Sequence, residues 1–196
     1  MKTKCKISVG FLFVFLLLSL FFTRSEMFIP LIVAITVHEA GHVVMAYLCK
    51  IKMAAFKLDI FGAALSPDSL TYSYTSEMIL CIGGPLFNFL TVILLYRIPS
   101  CVFADNLTQC SIALGSINLL PIQGFDGGRI FSALLSCFLT QKSVFVTTKV
   151  VSFLFVFLLW VLSIYILLRY GASLSTFIFS LSLFAKIFIT NSSTGQ

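Results

Sequence analysis

The sequence predicts an all-α polytopic membrane protein of about six transmembrane helices, with a small membrane-surface β-hairpin after the second and a broken fourth. Three observations carry this expectation. Hydrophobic residues form 59% of the 196-residue chain and charged residues 10%, where soluble domains are roughly a quarter charged. Stretches 8–22, 28–49, 78–96, 109–138, 147–168 and 172–190 are mostly apolar, and a spanning helix takes ~20 such residues. The charges also sort by side. With a cytosolic N-terminus, the inner side receives Lys2, Lys4, Lys6, Lys50, Lys52, Lys57, Lys142, Lys149 and Lys186, and the outer side only Arg24, Arg97 and Arg169. That asymmetry follows the positive-inside rule and places both termini in the cytosol. It accounts for the net charge of +6 without a nucleic-acid partner.

The first stretch is the shortest. Lys2, Lys4 and Lys6 ahead of an apolar block also fit a secretory signal, but Leu20, Phe21 and Phe22 stand where small residues would mark a cleavage site, so a retained helix is favoured. After the second stretch, Ala55-Phe56-Lys57-Leu58-Asp59-Ile60 partly alternates as a half-buried strand does. Gly62 and the turn signal Ser66-Pro67-Asp68 then lead to a second strand toward Leu70-Thr71-Tyr72. The fourth stretch is too long for one regular crossing and is interrupted by Pro121, Gly124, Gly127 and Gly128. With no long polar segment to fold separately, residues 1–196 read as one membrane domain, its core at about 28–138 and its C-terminal helices at about 147–190. The six cysteines contain no Cys-x-x-Cys pair and give no thiolate metal site. Cys101 and Cys110 share the expected outer loop, which leaves one disulfide there open.

His38-Glu39-Ala40-Gly41-His42 carries the chemistry. On a helix, positions i and i+4 share a face, so His38 and His42 can aim at one ion while Glu39 stands beside them as a base. Zinc held by neutral imidazoles acidifies water, and a nearby carboxylate takes the proton during attack on a carbonyl. Chance is the plain alternative. The chain has only two histidines, and random placement would set them four apart about 1% of the time. A carboxylate at membrane depth also costs ~2.5 kcal/mol or more on insertion scales, which favours a functional cluster.

A catalytic zinc takes three protein ligands as a rule. Asp126, inside the interrupted fourth stretch, is the best candidate for a third ligand, because unwound backbone survives in a membrane only when it is buried in protein or lines a wet cavity; taken alone it reads equally as a kink or loop-end aspartate near the cytosolic interface. The second and fourth stretches both run inward, so the three side chains fall in the cytosolic halves of their spans. Arg129 reads either as a partner for acidic groups or as a snorkelling cation, the second being favoured.

These residues resemble the site-2 protease family of intramembrane metalloproteases. Asn118-Leu119-Leu120-Pro121-Ile122-Gln123-Gly124-Phe125-Asp126-Gly127 matches the family's Asn-x-x-Pro-x-x-x-x-Asp-Gly signature, and Gly84-Pro85-Leu86-Phe87-Asn88 its Gly-Pro-x-x-Asn element. The resemblance covers about residues 28–138. It implies one zinc ion held by His38, His42 and Asp126, with Glu39 catalytic and Asn118 and Asn88 helping to bind substrate. It further implies hydrolysis of a peptide bond in or near the membrane segment of a membrane-tethered protein, the hairpin pairing with the extended substrate. The chain looks nearest to the minimal, sporulation-factor-like branch, without that branch's regulatory nucleotide-binding domain or the periplasmic peptide-binding domain of the envelope-stress branch. The expected setting is a bacterial membrane, with the active site toward the cytosol. Expected partners are the lipid bilayer, a membrane-tethered substrate, and a regulatory membrane protein or a second copy. A metal transporter or an inactive zinc-binding relative is the rival reading. The fifth and sixth stretches hold no Asp, Glu or His for a relay, and Glu39 is intact.

Overall fold

The helices form where apolar runs are long and end where the backbone is forced to turn. The structure, a computed structural model, describes residues 25–50, 53–59, 62–67 and 73–170. Helix α1 (Ser25–Leu48) closes at Lys50, whose φ of 52° is left-handed, a common way to end a helix. Strand β1 (Met53–Asp59) pairs antiparallel with β2 (Gly62–Pro67). Helix α2 (Tyr74–Leu95) starts after Ser73, whose hydroxyl accepts the Thr75 N–H at 3.3 Å. Helices α3 (Val102–Asn118), α4 (Asp126–Ser136) and α5 (Gln141–Tyr170) follow.

Among the described residues, α1, α2 and α5 are the three helices long and apolar enough to cross a membrane. The first and sixth expected spans, 8–22 and 172–190, lie outside the described residues. The expected fourth span resolves into α3 and α4, of 17 and 11 residues, each short of a ~20-residue crossing. It also begins earlier than expected. Much of the expected outer loop that holds Cys101 and Cys110 is instead the start of α3, capped by the Cys101 sulfur on the Ala104 N–H at 3.4 Å. Cys101 and Cys110 are both free thiols. Nine residues of helix separate them by about 13 Å, well beyond disulfide reach. Asp59 pairs with Gly62, so β2 takes in Ser66 and Pro67, part of the expected turn signal, while the expected strand at 70–72 lies outside the described residues.

Helix α1 packs on α2 and α3, α2 also on α3 and α4, and α5 on α4. The α1–α2 crossing is a glycine contact. A Cβ on Gly41 would overlap the Gly83 carbonyl oxygen, and one on Gly83 would lie 2.7 Å from the Gly41 carbonyl oxygen. Without a hydrophobic drive between helices in lipid, such close backbone approach is what holds them together. Outward faces carry large apolar side chains such as Leu94, Leu154 and Leu158, suited to lipid contact rather than water.

Candidate metal centre

The centre is built along one stripe of α2 beneath two imidazoles of α1. Leu80, Gly84 and Asn88 are spaced i, i+4, i+8, one turn apart on one face, and the Gly41–Gly83 crossing brings that face against His38 and His42. The Leu80 carbonyl oxygen lies 2.9 Å from His42 Nδ1. With Nδ1–H donating there, Nε2 keeps its lone pair for an ion. A Cβ on Gly84 would stand 2.5 Å from His42 Nε2 and 2.6 Å from His38 Nε2, so only glycine leaves the donor nitrogens clear. Asn88, completely buried, sets its Nδ2 3.0 Å from His38 Nδ1.

Asp126 reaches the same point from the other side of the fold. Residues 119–125 form the unwound connection between α3 and α4, and Gly124 takes a φ of 99°, open to glycine without strain. Gly127 and Gly128 let the start of α4 sit on this connection, since a Cβ on either would overlap the carbonyl oxygens of Leu119 and Ile122 respectively. Buried Ile122 and Phe125 pack with Val156 of α5. The Gln123 N–H donates to the buried Ser152 hydroxyl at 2.9 Å, and Ser152 Oγ lies 2.6 Å from the Thr148 carbonyl oxygen and 3.3 Å from that of Pro121. Ser132 and Thr148 join α4 to α5 at 3.1 Å. Pro121 and Gln123 of the unwound backbone thus find partners in α5, as a membrane interior requires. Nothing in the apolar run of α5 marked Ser152 or Thr148 beforehand, because single hydroxyls there have no motif or period.

Asp126 opens α4, where the helix dipole favours a carboxylate. Its Oδ2 is 3.1 Å from His38 Nε2 and 3.3 Å from His42 Nε2, and the two nitrogens are 3.3 Å apart. Donors ~2.0 Å from a tetrahedral zinc lie about 3.3 Å from one another, so this triangle has the dimensions of one face of such a site. The three residues are also the described group able to hold a metal ion. All three are buried. The donor set, its spacing and the glycine-cleared space fit zinc. Glu39, half-buried, is next to His38 on α1 and about 60° around the helix from His42.

Asn118 ends α3, its Nδ2 donating to the Leu114 carbonyl oxygen at 3.0 Å. Arg129 is not merely a snorkelling cation: its Nε donates to Glu77 Oε1 at 3.3 Å, tying α4 to the first turn of α2. Both partners are partly exposed, so this pair contributes at most about 1 kcal/mol and serves mainly to register the two helices.

Fold and site together define an integral membrane protein in which two buried histidines and an aspartate could hold a metal ion. The chain belongs to peptidase family M50, whose model matches residues 26–107 and 100–162. It is 32% identical over 121 residues to a zinc metalloprotease of Methanocaldococcus jannaschii, a stretch that is 57% of this chain and 35% of that protein. The chain therefore spans about a third of the length of that relative. Its fold is similar to that of a site-2 protease from Methanocaldococcus jannaschii, with a TM-score of 0.64 at 22% identity, over 92% of this chain and 88% of that one.

Proposed function

We propose that this protein is an intramembrane zinc metalloprotease that hydrolyses a peptide bond in or near the membrane segment of a membrane-tethered protein. The observation that carries the reading is the convergence of His38 and His42 with Asp126, which lies 88 residues after His38 in sequence, with donor atoms 3.1–3.3 Å from one another beside Glu39. Membership of peptidase family M50 supports the same chemistry.

His38, His42 and Asp126 would hold the ion. Zinc bound there supplies Lewis acidity, which acidifies water and polarises a carbonyl. Glu39 takes the proton from the attacking water and returns it to the leaving amide nitrogen, so that one carboxylate serves as base and then acid. Burial of the donors keeps bulk water from competing for the site and strengthens each charge interaction within it.

A helical substrate hides its carbonyls in its own hydrogen bonds, so the scissile segment must be extended before attack. The paired strands β1 and β2 offer a backbone edge for such a segment by strand addition, at the membrane surface. Asn118, at the start of the unwound connection, and Asn88, against His38, are the polar side chains this reading places around the cleavage position. The charge asymmetry of the sequence supports cytosolic termini and a site toward the cytosol, in a bacterial cell membrane, as in the minimal, sporulation-factor-like branch. A regulatory membrane partner or a second copy completes the proposed setting.

Membrane proteomics tests this reading. Cells carrying Glu39→Gln should accumulate full-length membrane-tethered precursors that cells with the unsubstituted protein convert to shorter forms. Identical precursor profiles in the two strains would overturn it.

A further inference from the structure

Asn88 bears on the metal centre in a way its substrate-binding reading does not capture. Its side chain is completely buried, and its amide lies within hydrogen-bond distance of His38 Nδ1, 3.0 Å away. His42 on the same helix has the equivalent contact from its own Nδ1, to the Leu80 carbonyl oxygen at 2.9 Å. Leu80 and Asn88 are eight residues, two turns, apart on α2, with Gly84 midway between them clearing the Nε2 atoms. Each imidazole is therefore gripped at Nδ1 by α2 while Nε2 faces Asp126.

We infer that Asn88 is the positioning residue of His38: its amide oxygen accepts the Nδ1–H and so fixes the tautomer in which Nε2 is free to bind zinc. An imidazole that ligates through Nε2 carries its proton on Nδ1 and needs an acceptor there. The amide stands with Nδ2 toward the ring, and its Oδ1 is buried without a hydrogen-bond partner. A half-turn about the terminal torsion exchanges two nearly isosteric atoms. It breaks only the Nδ2 contact to His38 and delivers Oδ1 to Nδ1–H. The same residue can thus serve both tautomers, donating to Nδ1 when Nε2 holds the proton and accepting from Nδ1 when Nε2 holds the ion. Gly115 of α3 comes close behind it, a Cβ built there standing 3.4 Å from the Asn88 Cβ. This inference rests on the zinc reading of the site.

The test is zinc affinity of the purified full chain in detergent, measured by chelator competition. The unsubstituted protein must first bind zinc; if it does not, both the zinc reading and this inference fall. Given binding, Asn88→Leu should weaken affinity 10- to 100-fold, the range for loss of a hydrogen-bond partner to a ligating histidine. Asn88→Asp, which keeps an acceptor at the same place, should restore it to the unsubstituted value or better. A residue that only packs helices would not be rescued by a buried carboxylate, and one that only touches substrate would leave zinc affinity unmoved in both variants. Equal affinity in Asn88→Leu and the unsubstituted protein overturns the inference alone. Should Asn88→Leu fail to fold, the unsubstituted protein still decides: 15N shifts of His38 in the zinc-loaded form should show a protonated Nδ1, and an unprotonated Nδ1 would contradict the role.

Discussion

Gly84 lies directly beneath His42: a Cβ built on it would stand 2.5 Å from the imidazole Nε2, closer than real Cβ contacts come. His38 Nε2 is 2.6 Å from the same point. The glycine of this turn is therefore part of the metal centre although it offers no donor. In Gly84→Ala the methyl must push both nitrogens or the α1–α2 crossing aside. Overpacking of this kind costs about 1–3 kcal/mol, here spent largely on donor geometry. Zinc affinity measured by chelator competition should drop at least tenfold while the detergent-solubilised chain stays folded by circular dichroism.

In the proposed mechanism Glu39 moves protons rather than holding the ion. Glu39→Gln removes the base but keeps size and polarity, so zinc content should match the unsubstituted protein. Cleavage of a co-expressed membrane-tethered substrate should fall about 10²- to 10⁴-fold, the usual contribution of a positioned acid or base. Immunoblotting of precursor and product reads the outcome, and cleavage at the original rate would remove Glu39 from the mechanism.

Ser152 holds the connection that delivers Asp126. Ser152→Ala leaves the Gln123 N–H buried without its partner, at a cost of about 1–3 kcal/mol. Because the strain falls on residues 119–125, thermal stability in detergent and zinc affinity should decline together. Ser163→Ala, on the same helix and with a buried hydroxyl lacking a hydrogen-bond partner, should leave zinc affinity unchanged and serves as the control.

The Gly41–Gly83 contact makes a further prediction. Gly83→Val inserts a branched side chain where the backbones touch, against Gly41 O and the Met45 side chain, and separates α1 from α2. Both imidazole contacts to α2, at Leu80 and Asn88, depend on that approach. The variant should lose zinc and unfold at lower temperature, whereas Leu94→Val on the lipid-facing side of α2 should do neither.

The three side chains that meet were legible in the sequence because metal chemistry restricts residue type and spacing: His38 and His42 are one turn apart, and Asp126 sits where Pro121 and the glycines interrupt a regular helix. What holds Asp126 in place was not legible. Ser152 and Thr148 are single hydroxyls in an apolar run, and their meaning appears only when α5 is set against residues 119–125. Helix boundaries suffered from local polarity. The apolar stretch begins at 109, but early turns of a helix welcome polar residues such as Asp105, and α3 begins at Val102. The orientation of Asn88 was equally hidden, since Gly-Pro-x-x-Asn states the one-turn spacing of Gly84 and Asn88 but not that both face the imidazoles.

The most direct measurement for the account as a whole is the zinc-to-protein ratio of purified chain, by metal analysis, for the unsubstituted protein and Asp126→Ala. The donor triangle calls for about one zinc per chain in the first and a ratio near zero in the second after dialysis against a weak chelator. An Asp126→Ala protein that keeps the same ratio as the unsubstituted one would contradict the three-donor centre on which the proposed hydrolysis depends.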